Sequence, residues 1–190
     1  MSINLLEAVQ KNLGYPPLQK IDPNTEEVKE NPDSPGEHKF SQAAIPAVLT
    51  ALYKYVQTDE GSENVLRGDY STDWVNTIFD QNKRDVVQTI SSYSHQGGAE
   101  ARMNDIADES IRLVKSNIPE NAGIKDVKTF LSGQRHNILL YLPPVLNMGS
   151  LLDDDTLDDN INKMEGPVSS LMNKIGSAFS TPVTEEDLKK

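Results

Sequence analysis

The densest set of metal-competent side chains in the chain is "DDTLDDNINKME", Asp154 to Glu165. Counted from Asp154, oxygen-bearing side chains fall at positions 1, 3, 5, 7, 9 and 12: Asp154, Thr156, Asp158, Asn160, Asn162 and Glu165. Calcium takes many hard oxygen ligands on a flexible loop, and this spacing would supply them, with the aliphatic Ile161 in the eighth place. The sixth place, where the loop must turn sharply and needs glycine, holds Asp159. A helix start accounts for the same letters. Thr156 is a good N-cap, Asp158 and Asp159 complement the dipole of a first turn, and Leu157, Ile161 and Met164 share one face. The expectation is therefore a capped helix and no bound metal.

Elsewhere the chemistry is sparse. His38, His95 and His136 stand far apart, and none has a partner at ligand spacing on one helix face. No nucleophile elbow, phosphate loop or dinucleotide fingerprint occurs. "SHQGGAE" is rich in glycine but lacks the lysine and hydroxyl of a phosphate loop, and reads as a break between helices. The aromatic residues Trp74, Phe79, Tyr93, Tyr53 and Tyr55 could floor a ligand pocket, although their helical spacing reads more simply as core. No catalytic or cofactor-binding residue is assigned.

The elements that would have to position any site are helical. Leu5, Leu6, Val9 and Leu13 form one face after Ser2, with Gly14 as a stop. "YPPLQKIDPNTEEVKENPDSPGEHK" has five prolines and little to bury, and reads as a flexible acidic insert over about 16–39. Ile45, Val48, Leu49, Leu52 and Val56 make a stripe opened by Pro46. The polar "TDEGSENVLRGD" reads as a loop. Ser71 or Thr72 then caps a helix carrying Trp74, Ile78 and Phe79, and Val86, Val87, Ile90 and Tyr93 continue to Gly97-Gly98. A helix over 99–117 and a shorter one ending near Gly133 follow.

"ILLYLPPVLNMGSLL", Ile138 to Leu152, is too short to span a bilayer, which needs about 20 residues. The proline pair breaks it, so a helix ends near Tyr141 and another begins at Pro144. Leu139, Leu142, Val145 and Leu146 are expected in the core. Leu157 to Phe179 is amphipathic, and residues 181–190 read as a tail. No period-2 alternation appears, so the fold is all-α: a multi-helix bundle in one domain over 1–180. "IPAVL" and "LPPVL" echo each other. Two related helical units around proline-led central helices would explain this, as would chance recurrence in a helical chain.

The order of a helix, "ENAGIKDVKTFL", then "LLYLPPVLNMGSLL" resembles the YidB-like bacterial helical family, a domain of unknown function. The resemblance covers roughly residues 43–152 and implies a small bacterial helical protein with no activity to carry over. The long acidic insert after Gly14 departs from the pattern.

Composition narrows the function classes. The formal net charge of −11 repels nucleic acid and anionic lipid, and no cysteine is available for disulfides or thiolate chemistry. The N-terminus lacks a basic region and a long apolar run, so a cytoplasmic location is expected. The leading expectation is a non-enzymatic protein without cofactor that acts through protein contacts, as scaffold, adaptor or by self-association. A small-ligand carrier or an enzyme with an inter-helix pocket is the alternative, and calcium responsiveness the third.

Overall fold

The computed structural model describes residues 3–21, 35–68 and 73–149, apart from the side chain of Val145. Among them, seven α-helices and two short 3-10 turns pack as an all-α bundle, with no strand. The helices are α1 (Leu5–Asn12), α2 (Gly36–Tyr55), α3 (Asp59–Arg67), α4 (Trp74–Phe79), α5 (Lys83–Ser94), α6 (Ala99–Asn117) and α7 (Ile124–Leu139).

The centre is α2, because every residue from Phe40 to Leu52 is buried. A helix apolar on all sides has no solvent face and must be surrounded. It is packed by α1, α4, α5, α6 and α7. Its buried hydroxyls are satisfied within the helix: Ser41 Oγ donates to the His38 carbonyl at 3.1 Å and Thr50 Oγ1 to the Pro46 carbonyl at 2.7 Å.

Pro46 does not open this helix, as its stripe suggests, but lies in its interior. The helix begins ten residues earlier, at Gly36, because Phe40 and Ala43 gain burial only if the turns before the proline are helical. "IPAVL" thus sits in mid-helix, whereas in "LPPVL" Pro144–Leu146 forms a 3-10 turn with Pro144 as its first residue. The two echoed stretches differ in conformation. Leu142 and Leu146 are each only 1% exposed, as expected, and Leu139 is partly buried.

The acidic insert read over 16–39 is built into the fold at both ends. Residues 36–39 belong to α2, and Leu18 packs against the core from the other side. Residues 22–34 lie outside the described part.

The polar stretch expected as a loop is α3. Thr58 Oγ1 caps it by accepting from the Gly61 N–H at 3.0 Å, and Gly68 ends it with φ +61°. Gly61 is required where α3 turns back on the end of α2. A Cβ there would lie 2.1 Å from the Tyr55 carbonyl oxygen, a backbone atom with no freedom to retreat. Gly61→Ala is expected to cost about 1–3 kcal/mol through this overlap. The urea midpoint checks it, and an unchanged midpoint would show that the turn can open.

Gly133, expected to end a helix, is instead exposed within α7, which continues to Leu139. The continuation aims Gln134 inward between Leu131 and Ile138, all three of them buried.

Candidate functional site

Two buried glutamines organise the polar interior. Gln42, in the second turn of α2, is 5% exposed, and Gln134, on α7, is 4% exposed. A primary amide carries donors and an acceptor without charge, so it can be buried at low cost when both sides are paired.

Gln42 Oε1 accepts from the Gln19 N–H at 2.8 Å, while its Nε2 donates to the Gln19 carbonyl at 3.0 Å and the Tyr141 carbonyl at 2.9 Å. The side chain thus pairs with a peptide unit much as a neighbouring strand would. Gln134 repeats the chemistry on another segment: Oε1 accepts from the Leu5 N–H at 2.9 Å and Nε2 donates to the Ile3 carbonyl at 3.0 Å. It supplies a partner for a first-turn N–H of α1, which has no intrahelical acceptor.

The segment held by Gln42, residues 15–21, is a strap without helix or strand pairing. Its far end is fixed by the Ile21 N–H donating to the Leu140 carbonyl at 2.8 Å. Its near end sits in a corner where the Arg102 guanidinium carbon lies 3.8 Å from the Phe40 ring centroid and 5.4 Å from that of Tyr15. Arg102 Nη1 also donates to Gln96 Oε1 at 3.1 Å. A cation over aromatic faces adds attraction to apolar contact, so the corner grips an aromatic residue.

In that corner Arg102 also faces Glu37 at 3.9 Å, and the other ion pairs are made by different residues. Lys83 meets Glu100 at 2.8 Å and Asp73 at 3.5 Å. Asp73 caps α4 by accepting from the Asn76 N–H, and that bond, together with Asn104 and Lys83, holds its carboxyl below the usual range. Glu100, followed by Asp73, raises Lys83. Arg112, and then Asn12, lower Glu109. The Lys83–Glu100 pair joins α5 to α6 and the Asn12–Glu109 bond joins α1 to α6, while Arg112 pairs within α6.

Asp108 behaves differently. Its Oδ1 is buried with no hydrogen-bond partner, and desolvation, with Asp105 nearby on α6, raises its pKa. Asn104, Asp108 and Lys115 fall on one stripe of α6. Asn104 reaches the start of α4 and Lys115 the end of α3, so Asp108 lies between those two anchor points along the helix. With its folded-state pKa raised, the carboxylate weakens the fold above that pKa, and the penalty fades as pH falls from there and is gone below the ordinary aspartate value, about 4. Asp108→Asn is therefore expected to raise Tm by a few degrees at pH 7 and to give no gain near that acidic limit. Paired melts of the two proteins at both pH values check it, and an equal gain at both would exclude the carboxylate charge as the cause.

The sequence candidates are dispersed. His38 is on α2, His95 ends α5 with φ +54°, and His136 lies in the last turn of α7. Trp74 and Phe79 are core residues, while Tyr53, Tyr55 and Tyr93 are partly buried. No group of three or more metal-competent side chains forms among the described residues. Asp154, Thr156, Asp158, Asn160, Asn162 and Glu165, and with them the amphipathic Leu157 to Phe179, lie outside the described part. One open concavity of about 520 Å³ is lined by Asp85, Gln88, Thr89, Ser92 and Tyr93 on α5. No described helix is long and apolar enough to cross a membrane.

No family model, curated protein or solved structure matches the chain.

Sequence reasoning missed both glutamines, since an amide that binds backbone belongs to no motif. The available signal was position: Gln42 falls within the mostly apolar Phe40–Leu52 run of α2, and Gln134 stands three residues after Leu131 and four before Ile138.

Proposed function

We propose that this is a non-enzymatic helical protein that acts through protein contacts, as a scaffold, an adaptor or by self-association. The supporting observation is that two of its buried polar side chains, Gln42 and Gln134, bind the backbone of other segments, the strap and the start of α1. Neutral amides that pair with peptide groups perform recognition, and they transfer no proton at ordinary pH. The acidic net charge of −11 favours a protein partner over nucleic acid and suits a cytoplasmic location. The reading calls for no cofactor.

Fluorescence-detected sedimentation of the labelled full-length chain tests it. A boundary that shifts with the chain's own concentration, or in cell extract with competition by unlabelled chain, is the expected result. A single unshifted boundary under all conditions would sink the reading.

The concavity on α5 favours a second reading, a small-ligand carrier, because a tyrosine, a carboxylate, an amide and two hydroxyls converge there. Asp85→Ala and Tyr93→Ala distinguish the readings: loss of a ligand-induced rise in Tm would belong to the carrier, and loss of a boundary shift to the contact protein.

A further inference from the structure

We propose that the trough between the first turns of α2, Arg102 of α6 and the end of α7 recognises extended, proline-containing protein segments, and that Tyr15–Ile21 is such a ligand held in cis. The proposal rests on the contact reading above and names the surface and the class of partner.

The strap shows what the trough fits. Tyr15, Pro16, Leu18 and Ile21 are half-buried, while Pro17, Gln19 and Lys20 are exposed. Among these, Tyr15, Leu18 and Ile21 recur at every third position, the period of a left-handed polyproline-type segment, which has three residues per turn. Pro16-Pro17 favours that geometry and excludes a helix. The trough therefore fits an aromatic residue, two prolines, and aliphatic residues at the fourth and seventh places.

The hydrogen bonds that Gln42 and Leu140 make to the strap end on its main chain, at the Gln19 N–H, the Gln19 carbonyl and the Ile21 N–H. Such bonds hold any sequence with the same spacing. Selectivity then comes from the corner of Phe40 and Arg102 that receives the aromatic ring. This division between backbone affinity and side-chain specificity is how grooves read extended peptides.

The strap can leave without unfolding what precedes it. Gly14 takes φ +71° with open space around its Cβ position, and the chain can turn there once Tyr15 parts from Gln10, whose carbonyl accepts from the Tyr15 N–H at 3.0 Å and whose Nε2 donates to the Tyr15 carbonyl. On its other side α1 stays anchored by Leu5, Leu6 and Val9, each essentially unexposed. A tethered ligand competes at high effective concentration, so the native chain should bind an outside segment weakly until the strap is displaced.

The test uses the full chain carrying Tyr15→Ser, Leu18→Ser and Ile21→Ser, and a fluorescent synthetic peptide of sequence YPPLQKI. Anisotropy is expected to show saturable binding, about tenfold or more tighter than to the native chain. Adding Gln42→Ala should weaken it by about tenfold, as expected when an uncharged side chain that hydrogen-bonds the peptide is removed. Absence of binding to the folded triple variant overturns the proposal. So does binding indifferent to Gln42→Ala, or equal binding of a peptide whose apolar residues are moved off the three-residue spacing.

Should the triple variant fail to fold, the native chain is given about 1 mM peptide, enough to populate a weak complex. Amide exchange at Gln19 and Ile21 should then accelerate severalfold while Val9 is unchanged, and unchanged exchange at all three overturns the proposal. A failed peptide titration beside a shifted sedimentation boundary removes the trough and leaves the contact reading standing. An unshifted boundary removes the reading itself.

Discussion

Leu142→Ala is expected to lower the free energy of unfolding by about 2–5 kcal/mol, from lost transfer energy plus a residual cavity. Leu142 is 1% exposed, and its neighbours Tyr141, Leu146 and Met148 are also buried. Its site has little freedom to collapse. The preceding carbonyl, of Tyr141, is held by Gln42, and the following two residues are prolines with restricted φ. The upper half of the range is therefore expected. Urea unfolding gives the free energy, and sedimentation of the same variant guards against a different explanation. A variant that kept its stability but lost association would mean that this apolar run is an interface and not core.

The second large effect is expected at Gln134. Gln134→Leu removes both hydrogen bonds while keeping an apolar side chain in place, leaving the Leu5 N–H and the Ile3 carbonyl without their partner. Each unsatisfied buried group costs about 1–3 kcal/mol, so a loss of about 2–4 kcal/mol is expected, the Ile3 carbonyl being only part-buried. Gln134→Glu separates the two bonds. It retains an acceptor for the Leu5 N–H but loses the donor to Ile3 and buries a charge. At pH 7 it should therefore be worse than leucine, and it should recover as the carboxyl protonates in acid. Denaturant curves at both pH values provide the measurement. If the two variants were equal at every pH, Gln134 would act through its packing alone.

The legible parts of this fold are those where local signals agree with the tertiary need. The span of α6 is readable because Gly98 and the break at Ile118-Pro119 bracket an amphipathic run, and the helix occupies Ala99–Asn117. The helix α3 escapes such a reading because its only buried large apolar residue is Val65. Hydrophobic periodicity has little to detect there. The capping grammar is nonetheless present: Thr58 before Asp59 and Glu60, then Arg67 before Gly68. Local rules mislead at Pro46 and Gly133, where burial of Phe40 and of Gln134 outweighs residues that usually mark helix ends. The strap is hidden for the opposite reason. Four half-buried residues in seven look like a linker until the three-residue spacing of Tyr15, Leu18 and Ile21 is set against a groove.

The bonds from Gln134 to Ile3 and Leu5 join positions separated by 131 and 129 residues. During synthesis the first helix emerges long before the residue that completes its first turn. At about 5–20 residues per second, the ribosome takes roughly ten seconds to deliver Gln134 after Leu5 has appeared. The other packing partners of α1, α2 and α6, are made within that interval, so the face of Leu5, Leu6 and Val9 can be covered before its first turn is capped. The first turn of α1 is thus made long before the side chain that satisfies its N–H.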